Sequence, residues 1–243
     1  VTAVAPDAQS DTVSSPSSWQ TVSSETELMK MWAIFPVEND QPVSIRALKP
    51  HGGNANLFPR NVTFTAREYP DVAARQQAFA TEALALNARG YNVYTTVNPL
   101  SDFYEGRGAA RDQDIACRAR LLIDLDRFTT AGSPATDAEI EQALAVASNI
   151  ADFLVEESGL TIRRTMSGNG AHLYVELDRL ANNPEMRLDC HGMLLSLASR
   201  FDTPDIKVDT TVFNAGRITK IPGTIARKGV ESEGRIFRAA CVL

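Results

Sequence analysis

The segment Arg120-Leu-Leu-Ile-Asp124-Leu-Asp126-Arg-Phe128 constrains this chain more than any other. Leu121, Leu122 and Ile123 read as a strand buried in a core, and the two-residue period of a strand puts Asp124 and Asp126 on one face. Crowding two carboxylates at the end of a buried strand is costly unless something compensates them, and a divalent cation does so most directly. The plainer alternative is a strand that ends in two solvated aspartates.

With 243 residues the chain is long enough to bury one large core or two small ones. Its apolar fraction of 44% and charged fraction of 22% are those of an ordinary soluble globular protein. No apolar run reaches membrane-spanning length and no secretory signal is visible, so the expected location is intracellular, the cytoplasm, with no membrane partner. Val1 stands where a start Met would, which reads as a piece of a longer protein. Cys117, Cys190 and Cys241 are far apart, with no paired ligand spacing, and argue for a reducing compartment and against a structural zinc site. The net charge of −6 excludes a protein that clings to nucleic acid over its whole surface, though not one with a local basic face.

The pattern along the chain predicts a mixed α+β fold. Residues 1 to about 20 are polar and aperiodic and read as a flexible arm. A helix start at Ser23–Glu27 leads into Leu28, Met29, Met31, Trp32 and Phe35, and a strand over Val43–Leu48 leads into a turn at Pro50–Asn54. A β-α-β pattern follows: a strand from Asn61, an Ala-rich helix over Asp71–Asn87 closed by Gly90, and a strand over Tyr91–Val97. Asn98–Asp114 reads as a mobile loop. Thr136-Asp137-Ala-Glu139 opens the strongest helix, with Ile140, Leu144, Ala147, Ile150, Phe153 and Leu154 at helical spacing and Gly159 as its stop. Strands from Leu160 and Ala171 flank a tight Ser167–Gly170 turn, a helix spans about Pro184–Arg200, and short strands close the chain, the last near Arg235–Ala240.

Two further segments carry polar groups that packing alone does not ask for. Ser167-Gly-Asn-Gly170-Ala-His172 joins a glycine-rich turn to a histidine at the start of a strand. Turn amides beside an imidazole make a phosphate cradle, unless this is an ordinary hairpin with a surface histidine. In Val208-Asp209 followed by Asn214-Ala-Gly-Arg217-Ile-Thr-Lys220-Ile-Pro-Gly-Thr224 and Arg227-Lys228, an acid precedes cations that alternate with apolar residues. The alternative for Arg217 and Lys220 is an exposed strand face.

In this order, the strand ending in IDLD, the SGNGAH hairpin and the VD with its basic stretch resemble the archaeo-eukaryotic primase superfamily, in particular primase-polymerases of plasmids, phages and other mobile elements. The resemblance covers roughly residues 40 to 240. It implies an RNA-recognition-motif-like antiparallel or mixed-sheet catalytic core, about residues 116–243, beside an N-terminal α/β module, about residues 21–115. It further implies that Asp124, Asp126 and Asp209 bind Mg²⁺ or Mn²⁺ and form the catalytic set with His172. Ser167, Gly168, Gly170, His172, Arg217, Lys220 and Lys228 would bind the nucleoside triphosphate, dNTP or NTP. The implied activity is template-directed DNA or RNA synthesis in the replication of a mobile element, on single-stranded or primed DNA. A helicase or helical primase domain outside this chain is the implied partner. Lys220 stands where Arg is common in the family, replacing a planar fork with a point charge.

Two readings from other classes remain. A metal-dependent nuclease uses a similar acid set, but has no need of the Arg217/Lys220 strand. A non-catalytic single-stranded-DNA or origin-binding module has no need of the acids. For a template strand, Arg46, Arg60, Arg107, Arg118 and Arg120 are the candidate cationic track and Phe103 and Tyr104 candidate stacking residues. Core packing is the first expectation for Tyr94, and neither His51 nor His191 receives a role.

Overall fold

The computed structural model describes residues 19–50, 56–106, 108–128 and 132–243. The arm expected over residues 1 to about 20, His51 and most of its turn, and Arg107 therefore lie largely or wholly outside the described residues.

Local sequence signals account for where the helices begin. Ser24 accepts the Glu27 amide at the start of α1, Glu25–Met29, which continues as a 3₁₀ turn through Ala33. Asp71 caps α2, Val72–Ala88. Thr136 and Glu139 form a reciprocal capping box for α3, Asp137–Ser158, and Gly159 ends it in the left-handed conformation. Asn183 with Pro184 at the first position opens α4, Pro184–Phe201. Among the described residues no helix is long and apolar enough to cross a membrane.

The strands form two principal antiparallel sheets. The first contains β1 (Val43–Leu48), β2 (Arg60–Phe64) and β3 (Asn92–Thr96) in the order β2-β1-β3. The expected β-α-β unit is thus split: β2 and β3 both pair antiparallel to β1, which lies between them. The second sheet is built from β4 (Arg118–Arg127), β5 (Ile162–Met166), β6 (Ala171–Leu180) and β7 (Ile206–Val208), in the order β5-β6-β4-β7. With α3 and α4 as crossovers this is the βαββαβ arrangement of ferredoxin-like and RNA-recognition-motif sheets, as expected. The chain then returns to the first sheet, where β8 (Ile218–Lys220) pairs with β3. β9 (Ile225–Ala226) pairs with β10 (Arg238–Ala239), and β11 (Cys241–Val242) extends the second sheet beyond β5. Short strands close the chain as expected; the one read near Arg235–Ala240 is β10, and β11 follows it in a different sheet.

One apolar cluster runs through both halves, joining Ile45, Phe79 and Val93 to Ile123, Ile150 and Leu173. Each fully buried side chain of this kind contributes about 1.5–3 kcal/mol. Phe35 and Tyr174 meet edge to face, with centroids 5.0 Å apart, and tie the N-terminal segment to the second sheet. Arg75 is fully buried on α2 and acts as a polar staple, donating to the carbonyls of Asn39, Gln41 and Tyr69.

Candidate active site between the two sheets

On β4, Leu121, Ile123 and Leu125 are buried, while Leu122, Asp124 and Asp126 line a cavity of about 420 Å³ between the sheets. Register supplies the neighbours. Asp124 pairs directly with His172 on β6, and its carbonyl accepts the Asp209 amide at 2.8 Å where β7 ends. His172, Asp124 and Asp209 therefore form one row across three strands, with Asp126 two residues further along the same face.

Each acid of this set faces a basic partner. His172 Nε2 lies 3.3 Å from Asp124 Oδ1, Lys228 Nζ 3.4 Å from Asp126 Oδ2, and Arg217 Nη2 3.5 Å from Asp209 Oδ2. Burial works against ionised Asp124, but His172, Arg217 and Lys228 outweigh it and hold its pKa below the usual carboxylate value. Asp126 goes the other way: burial and the Asp124 charge push it up despite Lys228 and His172. Burial also lowers the pKa of His172, but Asp124 prevails and the net shift is upward. Asp209 is engaged by its own turn, Oδ1 accepting from the Thr211 amide at 2.8 Å and its hydroxyl at 2.6 Å. Accordingly, among the described residues no three His, Cys, Asp or Glu side chains already stand as a metal-holding group. The donor set nevertheless suits a hard divalent cation: two carboxylates share a face, one is pushed up by the other, and the third acid is one strand away.

The Ser167–Gly170 turn sits beside this row. A side chain at Gly170 would run into the Leu125 carbonyl oxygen next to Asp126, and Gly168 has φ +95° and lies against Ala226. The turn was expected to cradle phosphate through its amides. Three of them are engaged within the hairpin: Ser167 N–H with the Gly170 carbonyl, Gly168 N–H with Met166 sulfur, and Gly170 N–H with Ser167 Oγ. The glycines therefore serve close packing in this conformation, while Ser167 and His172 line the cavity.

Other expectations shift once burial is known. Lys220 is not on an exposed strand face; it is 4% exposed on the cavity floor, with Nζ donating to the Ile225 carbonyl at 3.0 Å. Burial, with Arg227 adding to it, drives its pKa well below the ordinary lysine value. Tyr94 lines the same cavity, 5.6 Å from Lys220 Nζ, and burial with the charges of Asp124 and Asp126 pushes its phenol up to about 12. Asn61, Arg46, Tyr94 and Lys220 form one cross-strand row on the first sheet. Of the expected cationic track, Arg118 is buried and donates to the Phe213 carbonyl, and Arg120 lies over the Phe35 ring, so both serve the core. Phe103 is exposed, whereas Tyr104 is buried with its hydroxyl on the Gly108 carbonyl. His191 stacks on Phe213. A second cavity of about 160 Å³ adjoins the first through Arg217 and Ile218, with Ser44, Arg46 and Thr96 among its walls.

No family model matches this chain, and no curated protein matches it. Among solved structures, the polymerase domain from Mycobacterium tuberculosis Ligase D in complex with DNA is similar over 83% of this chain and 75% of that one, with 15% identity and a TM-score of 0.49.

Proposed function

We propose that this chain is a template-directed nucleotidyltransferase of the archaeo-eukaryotic primase kind, adding nucleotides to a primer on a DNA template. The observation that carries this reading is the row His172–Asp124–Asp209 with Asp126 beside it: His172, Asp124 and Asp126 line a cavity that also holds Arg217, Lys220, Arg227 and Lys228, and Asp209 stands at its edge, paired with Arg217. Two acids and several cations around one space, with a third acid on the adjoining strand end, suit a reaction in which a polyanion meets metal-binding carboxylates. Mg²⁺ or Mn²⁺ held by Asp124, Asp126 and Asp209 would supply charge to activate a primer 3′-hydroxyl and to stabilise departing pyrophosphate. Asp209, engaged here by Thr211 and Arg217, would have to turn from them to join that set.

The remaining roles belong to the chain's own groups. His172 and Ser167 hold the triphosphate from the second sheet. Arg217 and Lys228, paired here with Asp209 and Asp126, are the cations that would contact the phosphate oxygens. Lys220 and Tyr94 form the floor from the first sheet, and the approaching triphosphate favours the charged form of the buried lysine. Replication of a mobile element, with a helicase outside this chain, is the setting we propose.

Extension of a labelled primer on a DNA template, with Mg²⁺ or Mn²⁺ and either dNTPs or NTPs, tests this reading. Extension by the wild type that vanishes in Asp124→Ala/Asp126→Ala supports it. Cleavage of DNA without nucleotides would make the site a nuclease, and metal-independent DNA binding unchanged in the double variant would make the chain a binding module.

A further inference from the structure

Two hydroxyl groups reach the side of His172 that faces away from Asp124, and a third stands behind them. Nδ1 lies 3.1 Å from Thr219 Oγ1 and 3.3 Å from the Tyr174 hydroxyl. The two hydroxyls are 2.7 Å apart, and Thr165 Oγ1 lies 3.3 Å from Tyr174. Thr165 and Thr219 are each 2% exposed and Tyr174 is fully buried, so these hydroxyls must satisfy one another.

Counting donors and acceptors gives the group a direction. A carboxylate only accepts, so Nε2–H of His172 donates to Asp124. In the neutral ring Nδ1 is then an acceptor, and a hydroxyl must donate to it. Thr219 is the closer. Tyr174 donates to Thr219, and Thr165 to Tyr174. Both Thr219 and Tyr174 then donate once and accept once. The reverse tautomer would set Nδ1–H against Thr219 and turn a lone pair of Nε2 toward an acid.

From this we infer that Thr219 is the positioning residue of His172: its hydroxyl, backed by Tyr174 and Thr165, acts with Asp124 to hold the Nε2–H tautomer and the ring orientation that face the cavity. Thr219 belongs to β8 of the first sheet and His172 to β6 of the second, so the orientation of the histidine is set across the boundary between the sheets. The inference deepens the proposed phosphate-holding role of His172 and rests on it.

Imidazole ¹⁵N NMR of the full chain, at the alkaline end of a pH series where the ring is neutral, reads the tautomer directly. His172→Gln identifies its signal among the three histidines. The wild type is expected to show Nε2–H alone, Thr219→Val to populate both tautomers, and Thr219→Ser to restore one. Thr219→Ala, which introduces no bulk, carries the same test should the valine variant fail to fold. In primer extension, Thr219→Val is expected to raise the nucleotide KM about tenfold with kcat held within about threefold, and Thr219→Ser to recover it. An Nδ1–H signal in the wild type, or a hydroxyl-deleted variant that keeps the wild-type tautomer, overturns the inference. Because the NMR measurement needs no turnover, a chain that extends no primer would count against the proposed activity and not against this assignment.

Discussion

His172 and Asp124 are direct cross-strand partners, with Nε2 3.3 Å from Oδ1 and both side chains largely buried. That pairing divides the labour of the two crowded carboxylates. Asp124, backed by the imidazole, keeps its charge, and Asp126 is the one pushed toward protonation.

Asp126→Asn should therefore stabilise the fold while abolishing activity. An acid whose folded pKa lies above its unfolded value disfavours folding wherever it is ionised. The variant is expected to melt higher than the wild type at pH 7–8, with the gain shrinking as pH falls and wild-type Asp126 itself takes up a proton. Primer extension should fall about a hundredfold or more. Melts at two pH values with parallel extension assays check both halves; a lower melting temperature at neutral pH would contradict this account.

Glu139 supplies the opposite sign. Burial would raise its pKa, but hydrogen bonds from Arg235, the Thr136 amide and Arg127 prevail and hold it at about 2. Its contribution is present above the unfolded value near 4.5 and is lost as pH falls from there toward 2. Glu139→Gln removes the carboxylate that Arg127 and Arg235 share and should cost about 2–4 kcal/mol at pH 7 by urea titration, with a smaller difference from wild type at pH 3.

Two glycines should respond in opposite directions to the same change. Gly170→Ala forces a methyl against the Leu125 carbonyl and is expected to cost about 1–3 kcal/mol, with loss of extension because Asp126 lies alongside. Gly192, inside α4, has open space around it, so Gly192→Ala should add about 0.5–1 kcal/mol and leave extension unchanged. Chemical denaturation of both variants is the check.

Arg75→Met retains the apolar stem and removes the guanidinium. The carbonyls of Glu38, Asn39, Gln41 and Tyr69 then lose a donor that makes five hydrogen bonds, at about 1 kcal/mol for each and about 5 kcal/mol together. Hydrogen exchange should show residues 38–42 losing protection before the rest of the chain.

Local signals were legible from the residues alone. The helix starts at Thr136–Glu139 and Asp71, the helix from about Pro184, the Gly159 stop and the Ser167–Gly170 hairpin all stand where composition and spacing put them. So does the shared face of Asp124 and Asp126. What depends on contacts between distant segments was not legible. No periodicity announces that β1 lies between β2 and β3, or that the three residues of β8 leave one half of the chain to pair with the other. Lys220 and Arg118 carry charges that sequence logic assigns to a surface, yet Ile225 and Phe213 offer them carbonyls within the fold. Thr219 and Tyr174 read as plain strand residues because the hydroxyls that give them meaning are 45 positions apart.

The excursion of β8 bears on how this chain can be divided. Residues 206–220 leave the second sheet at Val208, pass Asp209, and end hydrogen-bonded to β3 at Lys220. A cut in the segment before β4 would release an N-terminal piece lacking its edge strand and a C-terminal piece with that strand unpaired. Neither piece would be a free-standing lobe. Co-produced, the two should instead recombine by strand addition and rebuild the cleft from severed parts, the docking of β8 along β3 serving as the splice.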